Sequence, residues 1–433
     1  MDNIEFSKKV DLLQEENRRL RVAVEELSVL NDIAIAVTST QELENIVDLI
    51  VRKCVKHLKV EQGVVMLFDE KDNQNPFRTM VRKQDTLAEL LPYRLDTQLT
   101  GWMLKHKTPL LVNNFKNDER FKGISENESH IRSLLSVPML LKGKMIGLLT
   151  VFNKRNDTDF TLEDRRLLAI ISAQSAQVIE NARLYKKEQD LVRIQEEMRL
   201  AGEIQRNLLP KIAPEIPGYQ IAGRSIPAKD VGGDYYDFIP IEDGRLAFCL
   251  GDVSGKGMPA AMLMANVQAT LRGQTAPSIT SKECIERSNN LLYKSTDPQK
   301  YVTLFYGILN TKTNELCFCN GGHNNPFLLS GNGKMKKLQT GGIVLGFVPQ
   351  FIFTEEKIPF QPGDLLVLYS DGITEAMNDK EEEFGEKRLE ELIMANRQES
   401  AEQIIGKILE NIDAHVGSAP QMDDITIVVL KRA

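Results

Sequence analysis

Cysteine is scarce. The 433 residues hold five, Cys54, Cys249, Cys284, Cys317 and Cys319. They are odd in number and lack metal-finger spacing, so neither a disulfide framework nor a cysteine zinc site is expected. No apolar run approaches the roughly 18–20 residues that cross a bilayer. The stretch from Leu134 to Leu141 is broken by Ser136 and Pro138. The N-terminus, MDNIEFSKKVDLLQEENRRL, is charged throughout and lacks the apolar core of a secretory leader. No membrane span is expected, and the compartment reads as a reducing cytoplasm. Glycine (28) and proline (17) are too few for a collagenous or low-complexity chain. Positive charge is in deficit: 54 Lys and Arg against 61 Asp and Glu leave −7. That balance speaks against nucleic acid as a partner. The remainder is ordinary globular composition, and the length suggests roughly two to four domains.

Residues 1–30 read as a helix. Val10, Leu13, Asn17, Leu20, Val24, Leu27 and Asn31 recur at alternating steps of three and four, the a and d positions of a heptad. One reading is a solvated amphipathic helix. The other is a short parallel coiled coil that makes the chain a homodimer, with Asn17 fixing register.

Residues 31–184 form an α/β unit. Helical periodicity covers Leu43 to Leu58, and the strand QGVVMLFD follows. A helix is expected near Thr100 to His106. SLLSVPMLLKGKMIGLLTVFNK reads as a hairpin turning at Lys142-Gly143-Lys144. FTLEDRRLLAIISAQSAQVIENARLY is a long helix, with Thr161 and Asp164 as its capping pair. The GWMLKHKTPLLVNN stretch, the hairpin and the long helix resemble a GAF domain, an antiparallel sheet with helices. The resemblance implies a sensory, dimerising module with or without a small-molecule ligand, and the sequence does not identify one. Cys54 reads as core, His106 and His130 as lone histidines, and Trp102 as packing.

The a/d pattern continues past Tyr185 through Leu191, Ile194, Met198, Ala201, Gln205 and Leu208 until Pro210. Residues 185–210 are therefore read as a signalling linker helix ended by proline. From 211 to 433, consecutive strands with short turns point to antiparallel sheets flanked by helices.

Acidic residues stand at strand ends or in glycine-rich turns there. They are Asp234 and Asp237 in VGGDYYDF, Asp252 in LGDVSGKG, Asp371 in LYSDGITEA, and Asp423-Asp424 in QMDDITIVV. Singly, each reads as a turn or cap. Converging carboxylates raise one another's pKa, and a hard divalent cation resolves the repulsion. Oxygen donors without His or Cys favour Mg²⁺ or Mn²⁺ over zinc.

In order, VGGDYYDF, GDVSGKGMPAAMLMA, GGHNNP, GGIVLG, LVLYSDGITEAMN and DDITIVVL resemble the motifs of SpoIIE-type (RsbU-like) serine phosphatases, a bacterial branch of the metal-dependent type 2C protein phosphatases. EIQRNLLP resembles the family's lead-in helix. The resemblance covers residues 211–433. It implies an α-β-β-α layered antiparallel β-sandwich with two Mn²⁺ or Mg²⁺ ions. Asp252 would bridge both ions, the Val253 carbonyl would add an oxygen, Asp371 and Asp423 would complete one shell, and Asp234 would serve the second ion. Asp424 would be an alternative ligand or a support, and Asp237 structural. The implied reaction is hydrolysis of a phosphorylated serine or threonine by metal-activated water, and the implied partner is a STAS-fold anti-anti-sigma factor. His323 reads as a hydrogen-bonded turn residue, with a general acid for the leaving oxygen as the alternative, and Lys229 as an exposed lysine rather than a phosphate-holding cation. The whole is an α/β and α+β multidomain chain. The rival readings are a non-catalytic sensor or scaffold with a degenerate phosphatase fold, and a metal nuclease or phosphodiesterase.

Overall fold

The computed structural model describes residues 42–68, 77–84, 97–121, 131–297 and 299–433, with helical pieces between 8 and 28. Those N-terminal pieces are helical, as the heptad predicts, and expose Leu13, Leu20, Val24 and Leu27. Asn31 and His130 lie outside the described residues. Among the described residues no helix is long and apolar enough to cross a membrane. The chain divides into two compact units, Met1–Val192 and Arg193–Ala433.

In the first unit, helix α1 (Leu43–Leu58) precedes strands β1 (Val60–Phe68) and β2 (Phe77–Gln84), helix α2 (Thr97–His106), strands β3 (Leu110–Val112), β4 (Leu134–Leu141) and β5 (Lys144–Lys154), and helix α3 (Leu162–Arg206), whose residues from Arg193 on belong to the second unit. The sheet order is β2-β1-β5-β4-β3, antiparallel throughout. The β4–β5 hairpin turns on Lys142 and Gly143, both at positive φ (48° and 80°), a twist that suits the flanking strands. One face packs Ile46, Ile50 and Cys54 of α1 against Leu168, Ile171 and Ile179 of α3. The other covers Met103, Phe115 and Phe121. Cys54 is fully buried and its thiol is pushed up to about 12 by desolvation, an inert core residue. The cap of α3 is the Thr161–Asp164 pair: Asp164 N donates to Thr161 Oγ1 and Thr161 N donates to Asp164 Oδ2.

Helix α3 is 45 residues long and enters the expected 185–210 linker without a break. It stops at Arg206, before Leu208 and Pro210, so Leu208 sits in a turn rather than on the helical stripe.

The second unit contains β6 (Tyr219–Ile226), β7 (Tyr235–Ile241), β8 (Arg245–Val253), α4 (Met258–Gln274), α5 (Ser281–Ser295), β9 (Val302–Asn310), β10 (Glu315–Gly321), β11 (Phe327–Leu329), β12 (Met335–Lys337), β13 (Gly341–Gly342), β14 (Glu356–Pro359), β15 (Leu365–Tyr369), the single turn α6 (Asp371–Thr374), α7 (Glu386–Ala395), α8 (Ala401–Val416) and β16 (Ile425–Arg432). One sheet runs β13-β10-β9-β8-β7 with β14 on β10, the other β12-β11-β15-β16-β6. Strand alternation sorts the core. Leu246, Phe248 and Leu250 of β8 meet Leu366, Leu368, Val428 and Leu430 between the sheets. Ala247 and Cys249 face α4 and α5, while Val367, Ile427 and Val429 face α7 and α8. The result is the expected four-layer α-β-β-α sandwich.

Candidate metal centre

Antiparallel pairing gathers the acidic loops at one rim. Tyr235 opposes Gly251, so the start of β7 lies beside the end of β8, and Asp234 and Asp252 occupy those ends. Tyr369 opposes Ile427, so the end of β15 lies beside the start of β16, and Asp371 and Asp423 flank them. Asp424 joins the two sheets. Its carboxylate accepts N–H bonds from Ala228 (2.8 Å), Gly233 (2.5 Å) and Asp234 (3.3 Å). Both Asp424 oxygens thus engage the backbone that leads into Asp234.

Gly232 and Gly233 lie close against these groups. A Cβ at Gly232 would stand 2.5 Å from Asp424 Oδ2. One at Gly233 would stand 3.1 Å from the Val253 carbonyl oxygen and 3.2 Å from Asp252 Oδ1. The bare Cα thus leaves room beside both oxygens.

The electrostatics are those of an unbalanced acidic rim. Asp234 is buried, its Oδ2 has no hydrogen-bond partner, and its carboxyl is raised well above the ordinary value by desolvation and then by Asp252. Asp252 is pushed up to about 7 by desolvation, then by Asp371, Asp423 and Asp424. Asp371 is raised by desolvation and by Asp423. Lys256 donates to Asp423 Oδ2 at 2.8 Å. Among the described residues, no group of three or more His, Cys, Asp or Glu side chains forms a ready-made cation shell. The donor chemistry nonetheless fits a hard cation: oxygen only, partly desolvated, and with one buried carboxylate oxygen unmatched.

Asp237 is engaged by an arginine and a tyrosine, an environment that fits the structural role the sequence suggested. It is fully buried and accepts from Arg272 Nε (2.7 Å), Arg272 Nη2 (3.0 Å) and the Tyr235 hydroxyl (2.6 Å). Lys229 is exposed. His323 is a hydrogen-bonded residue of the β10–β11 turn: it is buried, its Nδ1 lies 2.9 Å from Thr303 Oγ1, and Asp252 N donates to that same hydroxyl at 3.3 Å. Burial lowers its imidazole to about 4, so it is neutral. Gln205, helical as the heptad count expects, also bonds the loop before β7. Its Nε2 donates to the Gly232 carbonyl at 2.7 Å and its Oε1 accepts from Gly232 N at 3.0 Å. A polar side chain on an otherwise apolar stripe was the available signal. The backbone of α3 comes equally close: a Cβ on Gly202 would lie 2.1 Å from the Asp230 carbonyl.

Residues 242–433 match the family model described as Stage II sporulation protein E (SpoIIE), and residues 40–180 match the GAF domain model. The SpoIIE match begins in the β7–β8 turn, although β6 and β7 are hydrogen-bonded members of the two sheets. Over 263 residues the chain is 30% identical to protein IcfG of Synechocystis sp., covering 54% of this chain and 41% of IcfG, less than two thirds of that relative's length. Over 256 residues it is 27% identical to phosphoserine phosphatase RsbU of Bacillus subtilis, covering 57% of this chain and 75% of RsbU. Among solved structures, the SiaA-PP2C domain of Pseudomonas aeruginosa aligns with a TM-score of 0.49 at 19% identity, over 56% of this chain and 98% of that one. The chain thus carries a GAF domain over residues 40–180 followed by a SpoIIE domain over residues 242–433.

Proposed function

We propose that the C-terminal domain is a protein serine/threonine phosphatase, hydrolysing phosphoserine or phosphothreonine on a partner protein under control of the GAF domain. The observation that carries this reading is the unmatched Asp234 oxygen beside Asp252, whose carboxyl burial and neighbouring acids push up to about 7. Asp252 would serve both ions and the Val253 carbonyl would add an oxygen, with Asp371 and Asp423 completing one shell and Asp234 serving the second ion. Two Mn²⁺ or Mg²⁺ ions, when bound, supply charge against the phosphate oxygens and an acidified water. The chain's own part is to hold those donors in place: Asp424 fixes the Asp234 loop, and Thr303 with His323 backs the amide of Asp252. Cys249, Cys284 and Cys319 are buried with raised thiol pKa values, which suits direct hydrolysis rather than a cysteine phosphoenzyme.

Similarity to a phosphoserine phosphatase supports the substrate class. The specific partner in this reading is a phosphorylated STAS-domain anti-anti-sigma factor in a partner-switching pathway. The chain acts as a homodimer through its N-terminal heptads, and a small molecule on the GAF domain sets the output. Control runs along α3 to the Gln205–Gly232 pair, two residues from Asp234. The test is phosphate release from a phosphoserine STAS protein and from p-nitrophenyl phosphate with Mn²⁺, for wild type and Asp252→Asn. DNA cleavage by the same pair tests the nuclease alternative.

A further inference from the structure

Lys256 sits between two glycines in the loop leaving β8, Gly255 at φ +100° and Gly257 at φ +73°. Its Nζ reaches the loop before β16, donating to Asp423 Oδ2 at 2.8 Å and to the Met422 carbonyl at 2.9 Å. Among the described residues this is the ion pair that touches the acidic rim; Asp234, Asp252 and Asp371 have none. Its charge is also felt at Asp371. The two side chains are 55% and 40% exposed. A pair that open to water is weak, and a lysine is a point charge on a flexible stem. Its second contact is a neutral carbonyl.

We infer that Lys256 is an internal counter-ion of the metal centre: its ammonium occupies Asp423 in the metal-free chain and is displaced when a divalent cation takes that carboxylate. The inference rests on the metal reading above. An ammonium donating to Asp423 Oδ2 and a dication on the same carboxylate repel each other, and the lysine is the partner free to leave. Loading therefore raises the charge of the rim twice, by the ion and by the uncovered ammonium. Since the pair is exposed, the competition weakens metal binding only a few-fold.

The experiment titrates Mn²⁺ calorimetrically into the full chain as wild type, Lys256→Met and Lys312→Met. Lys312 pairs with Asp243 in an exposed turn and controls for the lost charge. Lys256→Met should bind Mn²⁺ roughly two- to fivefold more tightly, with Lys312→Met unchanged. Independently of any variant, reductive methylation of the wild type followed by mass spectrometry should label Lys256 faster when Mn²⁺ is present. An unchanged or weaker constant for Lys256→Met, or labelling that Mn²⁺ does not accelerate, overturns the inference. If the wild type binds no Mn²⁺, the metal reading falls with it; if it binds but Lys256 is indifferent, only this inference falls.

Discussion

Gly233 donates its backbone N–H to Asp424 Oδ2 at 2.5 Å, and through that bond a residue next to the last strand of one sheet holds the loop before β7 of the other. Asp424→Ala removes the acceptor for three amides, two of them in the buried stretch around Asp234. Hydrogen bonds to a charged group contribute about 1.5–3 kcal/mol each and do not add fully. The variant should lose about 2–4 kcal/mol in denaturant unfolding, and Asp424→Asn, which keeps one acceptor oxygen, should lose less.

Acidity of the rim predicts a direction with pH. In the metal-free chain the folded-state carboxyl of Asp252 sits at about 7 against an ordinary 3.8. Between those values the native chain binds a proton that the unfolded chain has released, so stability falls as pH rises through that window. Thermal unfolding in EDTA should show that decline. It should be shallower in Asp252→Asn, though not abolished, because Asp234 and Asp371 shift the same way. Protons and metal compete for these oxygens, so Mn²⁺ affinity should climb over the same range.

Arg272 neutralises a fully buried carboxylate, Asp237, from a half-exposed position. Arg272→Ala leaves that charge unpaired and should cost about 3 kcal/mol of unfolding free energy. Arg272→Lys, lacking the fork that bonds both oxygens, should recover only part of it. Mn²⁺ affinity of the folded fraction should stay within about twofold, since Asp237 is removed from the acidic rim by its own pairing.

Leu13, Leu20 and Leu27 lie 56–65% exposed on described helical residues. Dimerisation through that stripe predicts a concentration-dependent dimer by sedimentation velocity. Leu13→Lys with Leu20→Lys should convert it to monomer while Mn²⁺ binding persists. A dimer of unchanged strength in the double variant would remove the heptads from the assembly.

Much of this was legible in the sequence because local rules agree with the tertiary result. Strand alternation such as Ile427-Val428-Val429-Leu430 fixes which side chains lie between the sheets and which face helices. The Thr161–Asp164 cap and the Lys142-Gly143 turn are short-range chemistry. Acidic residues at strand ends marked the rim. What the sequence could not supply were pairings set by packing across the chain. Asp423 and Asp424 are adjacent, yet one meets Lys256 and the other three backbone amides, a choice made by which side of the strand start each faces. Gln205 fits the a/d count, but its amide is drawn to Gly232 because that loop lies against the helix. The role of Thr303 was silent, since a threonine in a strand carries no signal until its neighbour is known.

The most direct test of the central claim measures Mn²⁺-dependent phosphate release from a phosphoserine protein by the full chain, with metal binding followed calorimetrically on the same samples. The account predicts turnover that EDTA abolishes and Mn²⁺ restores, with Asp252→Asn and Asp371→Asn each losing more than about a hundredfold in activity together with Mn²⁺ affinity. Turnover that survives both substitutions, or a wild-type chain that binds no Mn²⁺, would contradict it.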